Sequence, residues 1–287
     1  MDKVFITAAL TGTSISREVA PTVPIFPEEI AEQVVDVAKA GAAMAHIHVR
    51  DDKGWPTIDV EKFTKTFEAI QQATKAAGVD IIVNLTTSGS VKLEKNETRL
   101  AHVKKLRPDM CSFDSGTFNW NYGGVFVNAP DFLEDLSKCV IENNVKPEFE
   151  IFDNGMLGNA IYCINKFNIP QPCHFQFVLG VGGAASATTR NLVFLQEMLP
   201  KGSTWSVTGI GKAHIPMMLA GLSLGCNGLR VGLEDNVYMS KGVKATNVKL
   251  VERAAELIKL TGHEVATTDE TREILGLKRH SLEEYHA

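Results

Sequence analysis

Cysteine is scarce in this sequence and shows no pattern. Five residues (Cys111, Cys139, Cys163, Cys173 and Cys226) stand apart with no C-x-x-C pair. An odd, scattered set excludes a disulfide framework and fits reduced thiols in a cytoplasm. No apolar run approaches the roughly 18 residues that a membrane span needs. The opening stretch MDKVFITAAL lacks the basic start, long apolar core and cleavage site of a secretory signal. Blocks of basic residues are missing and the formal charge is -5, which argues against nucleic acid as a partner. Linkers and low-complexity tracts are absent as well. What is there is ordinary for a globular protein: 44% hydrophobic and 22% charged residues exclude general disorder. A chain of 287 residues buries a sizeable core without staples. The expectation is a soluble cytoplasmic protein that engages neither membrane nor nucleic acid.

Short apolar runs alternate with longer amphipathic ones. The short runs are VFITAAL (4–10), AMAHIHV (43–49), DIIVNLT (80–86), MCSFD (110–114), EFEIF (148–152), HFQFVLG (174–180), TWSVTGI (204–210) and GLRVGL (228–233). They are rich in Val, Ile, Phe and Thr and have the length of buried strands. The first helix starts at Pro27 with Glu28 and Glu29 in its first turn and stops at Gly41. Asp59 caps the next, which ends before Gly78. Further helices are predicted at 94–106, 130–143, 155–167, 188–199, 213–224 and 243–261, with a short final one after Thr268. Eight strand–helix units, one every 36 residues or so, predict an α/β chain folded as a (β/α)8 TIM barrel. The runner-up, a doubly wound open sheet, calls for a Gly-rich first turn, whereas ALTGTSISR has one glycine. The expected organisation is one barrel domain over 1–287, with a C-terminal extension at about 262–287.

In such a barrel the chemistry sits at the C-terminal ends of the strands. His46 and His48 end the second strand. Two residues apart on a strand, they share a face and can bind one cation at the barrel mouth. Glu234 and Asp235 follow the eighth strand, which flanks strand one together with strand two. Glu234 therefore reaches the histidines, giving a His2Glu set of the kind that holds catalytic zinc. His174 on strand six is a rival ligand, though a core or rim role is the plainer reading. His102, His263, His280 and His286 fall on predicted helices or in the tail and are expected at the surface.

Other strand ends carry polar groups: Thr11 to Ser14 on strand one, Asn84 and Thr86 to Gly89 on strand three, Ser112 and Asp114 to Gly116 on strand four. Hydroxyls and glycine amides there suit carboxylate or enolate oxygens. Arg230 can clamp a carboxylate or orient Asp235. Gly209, Gly211 and Lys212, before the seventh helix, form a candidate anion site, as does the Gly-rich FVLGVGG turn.

TAALTG (7–12), HIHVRD (46–51), FVLGVGG (177–183), GIGKAHIP (209–216) and RVGLEDN (230–236) together resemble the β-keto acid cleavage enzymes. The likeness spans nearly the whole chain in the same order. It implies a barrel assembled as a homotetramer, with one zinc ion per subunit on His46, His48 and Glu234. It implies condensation of a β-keto acid with acetyl-CoA to give acetoacetate and a new acyl-CoA. Asp235, held by Arg230, is then the base, and substrate contacts fall on Thr86, Gly89 and Ser112. The Gly-rich turns and Lys212 gain a use with CoA. A carboxylate beside an arginine is expected to have a lowered pKa. Two acidic or anionic reactants on a chain of charge -5 also call for a locally positive mouth, through a metal, Arg230 and Lys212.

Two departures matter. Ser14 stands where the 3-keto-5-aminohexanoate branch carries a glutamate for the substrate amine, so a neutral or differently charged side chain is expected on the keto acid. Ser88 stands where the family usually has glycine. The rival readings are an amidohydrolase-type metal hydrolase, which needs its histidine pair on strand one and further histidines on strands five and six, and a non-catalytic metal- or CoA-binding barrel.

Overall fold

The computed structural model describes residues 2–88, 94–121 and 123–278. Eight parallel strands close on themselves: β1 (Lys3–Ala9), β2 (Met44–Ile47), β3 (Ile82–Leu85), β4 (Met110–Asp114), β5 (Lys146–Ile151), β6 (His174–Leu179), β7 (Thr204–Gly209) and β8 (Gly228–Val231). Each pairs with the next, and β8 pairs back onto β1 with Thr7 opposite Arg230. The connecting helices are α1 (Pro27–Ala40), α2 (Val60–Ala77), α3 (Asn96–Leu106), α4 (Pro130–Glu142), α5 (Asn154–Phe167), α6 (Thr189–Glu197), α7 (His214–Ser223) and α8 (Asn247–Leu260). This is the (β/α)8 barrel that the alternation predicts. The caps act where the sequence places them. The Asp59 carboxylate accepts from the Glu61 and Lys62 amides at 2.8 and 3.1 Å, and Gly41 closes α1 in the left-handed region.

Strand alternation sorts the side chains. Val4, Ile6 and Ala8, Ala45 and Ile47, and Phe149 and Ile151 join the apolar layer beneath the helices. The other face of each strand points into the barrel. At its N-terminal end Phe5, Met44, Ile82 and Met110 make a small separate cluster with Ala266 and Leu275. Those last two come from a terminal segment, β9 (Glu264–Val265) beside β1, and α9 (Thr268–Leu275). Towards the other end the inward positions turn polar, and among the described residues three hairpins stand on the loops there: Val49–Arg50 with Pro56–Thr57, Phe118–Trp120 with Gly124–Phe126, and Tyr238–Ser240 with Val243–Lys244. The last of these delays α8 to Asn247, four residues after the predicted start. No helix among the described residues is long and apolar enough to cross a membrane.

Candidate active site at the barrel mouth

His46 on β2 is paired with Ala9 of β1 and Asn84 of β3. His48 lies two residues on, and the two rings sit 5.1 Å apart. Glu234 arrives from the turn after β8. Gly232 makes that turn at φ +144°, and a Cβ there would lie 2.0 Å from the Ala9 carbonyl oxygen, so only glycine lets the turn close against β1. The Glu234 amide then donates to Ala9 at 3.2 Å. Its Oε1 falls 3.8 Å from His46 Nε2 and 3.3 Å from His48 Nε2. Thus the three sequence-predicted ligands converge.

These residues fit a divalent cation. Glu234 Oε2 is buried without a hydrogen-bond partner, a costly arrangement unless something positive binds it. Burial pushes the His46 imidazole well below its ordinary value, which keeps it neutral with a lone pair to give. Burial opposes ionisation of Glu234, but His48, Arg230 and His46 outweigh it and hold the carboxylate low. A second triad, His46, Glu148 and Glu150, has donor atoms within 4.8 Å of one another. Glu148 does not line the cavity, so this set faces it with two donors where the first set has three.

Arg230 is the hub beside the triad. It is 2% exposed, and donates to Glu150 at 2.8 Å, to Glu234 at 2.9 Å and to both oxygens of Asp235 at 2.9 and 3.3 Å. Burial alone would lower its pKa, but Asp235, Glu150 and Glu234 raise it well above the usual value, so it stays charged. The lowered Asp235 pKa expected from the sequence is corrected: burial and the Glu234 charge outweigh Arg230, and the carboxyl is raised. Burial also raises Glu150, and burial with Glu150 beside it raises Asp114 well above the carboxylate range.

His46, His48, Glu234, Arg230 and Asp235 all line one cavity of about 460 Å³. Thr86 and the exposed Ser14 line it too. Ser112 does not: its hydroxyl accepts from the Thr87 amide at 3.0 Å and its carbonyl from the Thr87 hydroxyl at 2.9 Å, so it ties β4 to the end of β3. Gly209, Gly211 and Lys212 do not line it either; Ile210 between them does. Gly89 lies outside the described residues. Among the described residues Asp114, Glu150, Glu234 and Asp235 line the cavity, together with Arg230 as the one Arg or Lys.

His174 opens β6, at the end of the strand away from the mouth. Its nitrogens meet the Thr204 and Ser206 hydroxyls at 2.9 and 3.0 Å, a core role. This removes the histidine that a hydrolase of the amidohydrolase type needs there. His102 is corrected from surface to core: it is fully buried, stacked on Phe63 at 3.9 Å, with Nε2 against the Thr86 carbonyl at 2.8 Å. Glu148 and Glu150 escape sequence reasoning. Their signal is two acids alternating with apolar residues in EFEIF, which also reads as a half-exposed strand.

Residues 3–277 match the family model described as beta-keto acid cleavage enzyme. The chain is 44% identical to a 3-keto-5-aminohexanoate cleavage enzyme of Fusobacterium nucleatum over 280 residues, covering 97% of this chain and 100% of that protein. It is 33% identical to a 3-oxoadipate:acetyl-CoA acetyltransferase of Cupriavidus necator, covering 95% and 94%. The solved apo structure of ObcA superposes with a TM-score of 0.78 at 22% identity, over 90% of this chain and 66% of that one, a likeness of fold. With the barrel, the site geometry and these matches in agreement, the chain belongs to the β-keto acid cleavage enzyme family and is an enzyme.

Proposed function

We propose that this enzyme condenses a β-keto acid carrying a neutral side chain with acetyl-CoA, giving acetoacetate and a new acyl-CoA. One observation carries the reading: a His2Glu donor set and an arginine-held carboxylate face the same cavity. His46, His48 and Glu234 would hold zinc, which when bound supplies Lewis acidity that makes the C2 proton of a β-keto acid more acidic. Asp235 is the base that takes this proton. Two hydrogen bonds from Arg230 fix its orientation. The C2 carbanion attacks the acetyl carbonyl and CoA leaves as thiolate. The thiolate attacks the C3 ketone, the C2–C3 bond breaks, and the departing carbon takes back the proton from Asp235. Thr86 and Ser14 are the substrate contacts on the cavity wall.

The cavity supports a neutral substrate side chain. Ser14 offers a hydroxyl, and the far wall is apolar, with Phe118, Trp120 and Phe126 from the hairpin after β4, Phe152 after β5, and Val178, Val181 and Ile210 beyond. Phe118, Phe126 and Phe152 pack on one another at 5.2 to 5.9 Å. The test is acetoacetate formed from acetyl-CoA and a panel of β-keto acids by zinc-loaded protein. Turnover of neutral acids above amino acids of the same length is expected. Zinc-loaded protein that makes no acetoacetate from any of them sinks the proposal, and preference for the amino substrate sinks the side-chain reading. Ser14→Glu should shift preference toward amino-bearing acids by about tenfold or more, the worth of a charge-assisted hydrogen bond.

A further inference from the structure

The segment 10–26 between β1 and α1 forms neither helix nor strand. Even so, Thr13, Ser14 and Ile15 from it line the cavity. Its backbone there is held from outside, by Arg50 of the Val49–Arg50 strand. Arg50 is 6% exposed. Its Nη2 faces three carbonyl oxygens of the segment: Ile15 at 2.7 Å, Gly12 at 3.0 Å and Thr11 at 3.3 Å. Its Nη1 donates to the Gly54 carbonyl at 3.2 Å, inside its own hairpin. Across that hairpin Arg50 is registered against Pro56, another residue of the cavity wall. Arg50 itself does not line the cavity.

Burying a charge is costly, and the four carbonyls offset that cost. Residues 16–19, just beyond, are exposed. Carbonyls so close to the surface can be satisfied by water, so folding alone does not call for a buried cation here. What the cation adds is a fixed position. Gly12 lies two residues before Ser14 and Ile15 one after it, so the backbone is tied on both sides of the exposed hydroxyl. Guanidinium suits the task because its nitrogens lie in a rigid plane and point apart. One nitrogen takes the segment and the other takes the hairpin. An ammonium offers its donors from a single point and does not span both.

We infer that Arg50 is a specificity-determining positioning residue: by gripping the carbonyls of Thr11, Gly12 and Ile15 it fixes Thr13, Ser14 and Ile15 at the cavity wall, and so sets how selectively the side chain of the keto acid is held. It acts through the backbone and does not touch the substrate. The inference rests on the proposed reaction and on Ser14 facing that side chain.

The test uses the zinc-loaded full-length enzyme, with kcat and KM measured for a neutral and an amino-bearing β-keto acid, metal analysis for zinc, and circular dichroism to confirm folding. Arg50→Met keeps an unbranched stem and removes the donors. Its KM for the neutral acid should rise about tenfold or more while kcat falls by less, because the wall moves and the reacting groups stay. Its preference between the two acids should narrow by a similar factor. Zinc content should stay at wild-type level, since Glu234 is held separately by Arg230 and by Ala9. Arg50→Lys keeps donors for part of the set and should shift KM and preference the same way by less. The gain of Ser14→Glu toward the amino-bearing acid should shrink by about threefold or more when Arg50→Met is added, because the two positions act through one segment. Folded Arg50→Met with wild-type KM and preference overturns the inference. So does a loss confined to kcat or to zinc content, which would make Arg50 a brace of the fold or of the ligands. Strict additivity with Ser14→Glu overturns it as well. If Arg50→Met does not fold, Arg50→Lys decides alone: a raised KM with narrowed preference supports the inference, and unchanged values overturn it. A wild type that makes no acetoacetate from any keto acid overturns the proposed function and this inference with it, whereas an active wild type beside unaltered Arg50 variants overturns this inference only.

Discussion

Asp235 shows how a single side chain acquires a role from its surroundings. Its carboxyl is buried, raised by desolvation and by Glu234, and restrained by Arg230. Replacing it with Asn keeps the shape and removes the proposed base. Asp235→Asn should lower kcat by about 10²- to 10⁴-fold, the usual share of a general base, while zinc content measured by metal analysis stays at wild-type level. Retained turnover would refute the base assignment. His46→Ala should lose zinc; unchanged zinc content refutes that ligand. His102 gives a residue-scale prediction about stability. Burial lowers its pKa from 6.5 to about 4 in the folded state. Above pH 6.5 the ring is neutral in both states and its contribution is fully present. As pH falls from 6.5 towards 4, only the unfolded chain takes up the proton, and about 3 kcal/mol of stability is lost. His102→Gln keeps a donor for the Thr86 carbonyl and does not titrate. Its unfolding free energy should therefore fall less steeply over that window. An unchanged slope in denaturant titrations from pH 7 to 4 excludes the assignment.

At the scale of elements, the site depends on how closely two loops approach. The turns after β1 and β8 meet at Gly12 and Glu234. A Cβ on Gly12, which sits at φ +60°, would lie 2.7 Å from Glu234 Cγ. Gly12→Ala should therefore displace the carboxylate from the histidines. Zinc affinity should fall by tenfold or more, a larger effect than on Tm, because misplacing one ligand disturbs the site more than the fold. Equal zinc affinity in the variant would count against Glu234 as a ligand held from this side. The hairpin spanning Phe118–Trp120 and Gly124–Phe126 has a different part, supplying aromatic side chains to the cavity wall.

At the scale of the whole molecule, the terminal segment seals the end of the barrel opposite the mouth. Leu275 is fully buried against Phe5, Met44, Ile82 and Met110, while Arg272 forks onto Asp80 at 2.6 and 3.1 Å. Leu275→Ala should cost about 2–5 kcal/mol, read as a lower denaturant midpoint, with kcat unchanged because the plug lies at the far end of the strands from the reacting groups. A variant of wild-type stability would mean that the cluster contributes no packing. The charge distribution also belongs to this scale. The chain is acidic overall, and among the described residues four carboxyl side chains line the cavity with Arg230. Under the proposed reaction, attraction of an anionic keto acid falls to Arg230 and to a cation on His46, His48 and Glu234.

Local pattern alone determined much of this protein. Alternation within VFITAAL or MCSFD, Asp59 and Pro27 at helix starts, and glycines at helix ends specify the eight units and hence the barrel. Period two also placed His46 and His48 on one face, and the barrel's closure put Glu234 beside them. Tertiary structure decided the rest, because burial is a property of where a face ends up. EFEIF reads the same whether its acids face water or a barrel interior; closure of the sheet sends Glu148 and Glu150 inward. His102 lies on an ordinary-looking helix until Phe63 of α2 covers it. Arg230 beside Asp235 is visible in RVGLEDN, but the direction of the Asp235 shift depends on desolvation, which exists only once the strands have closed around it.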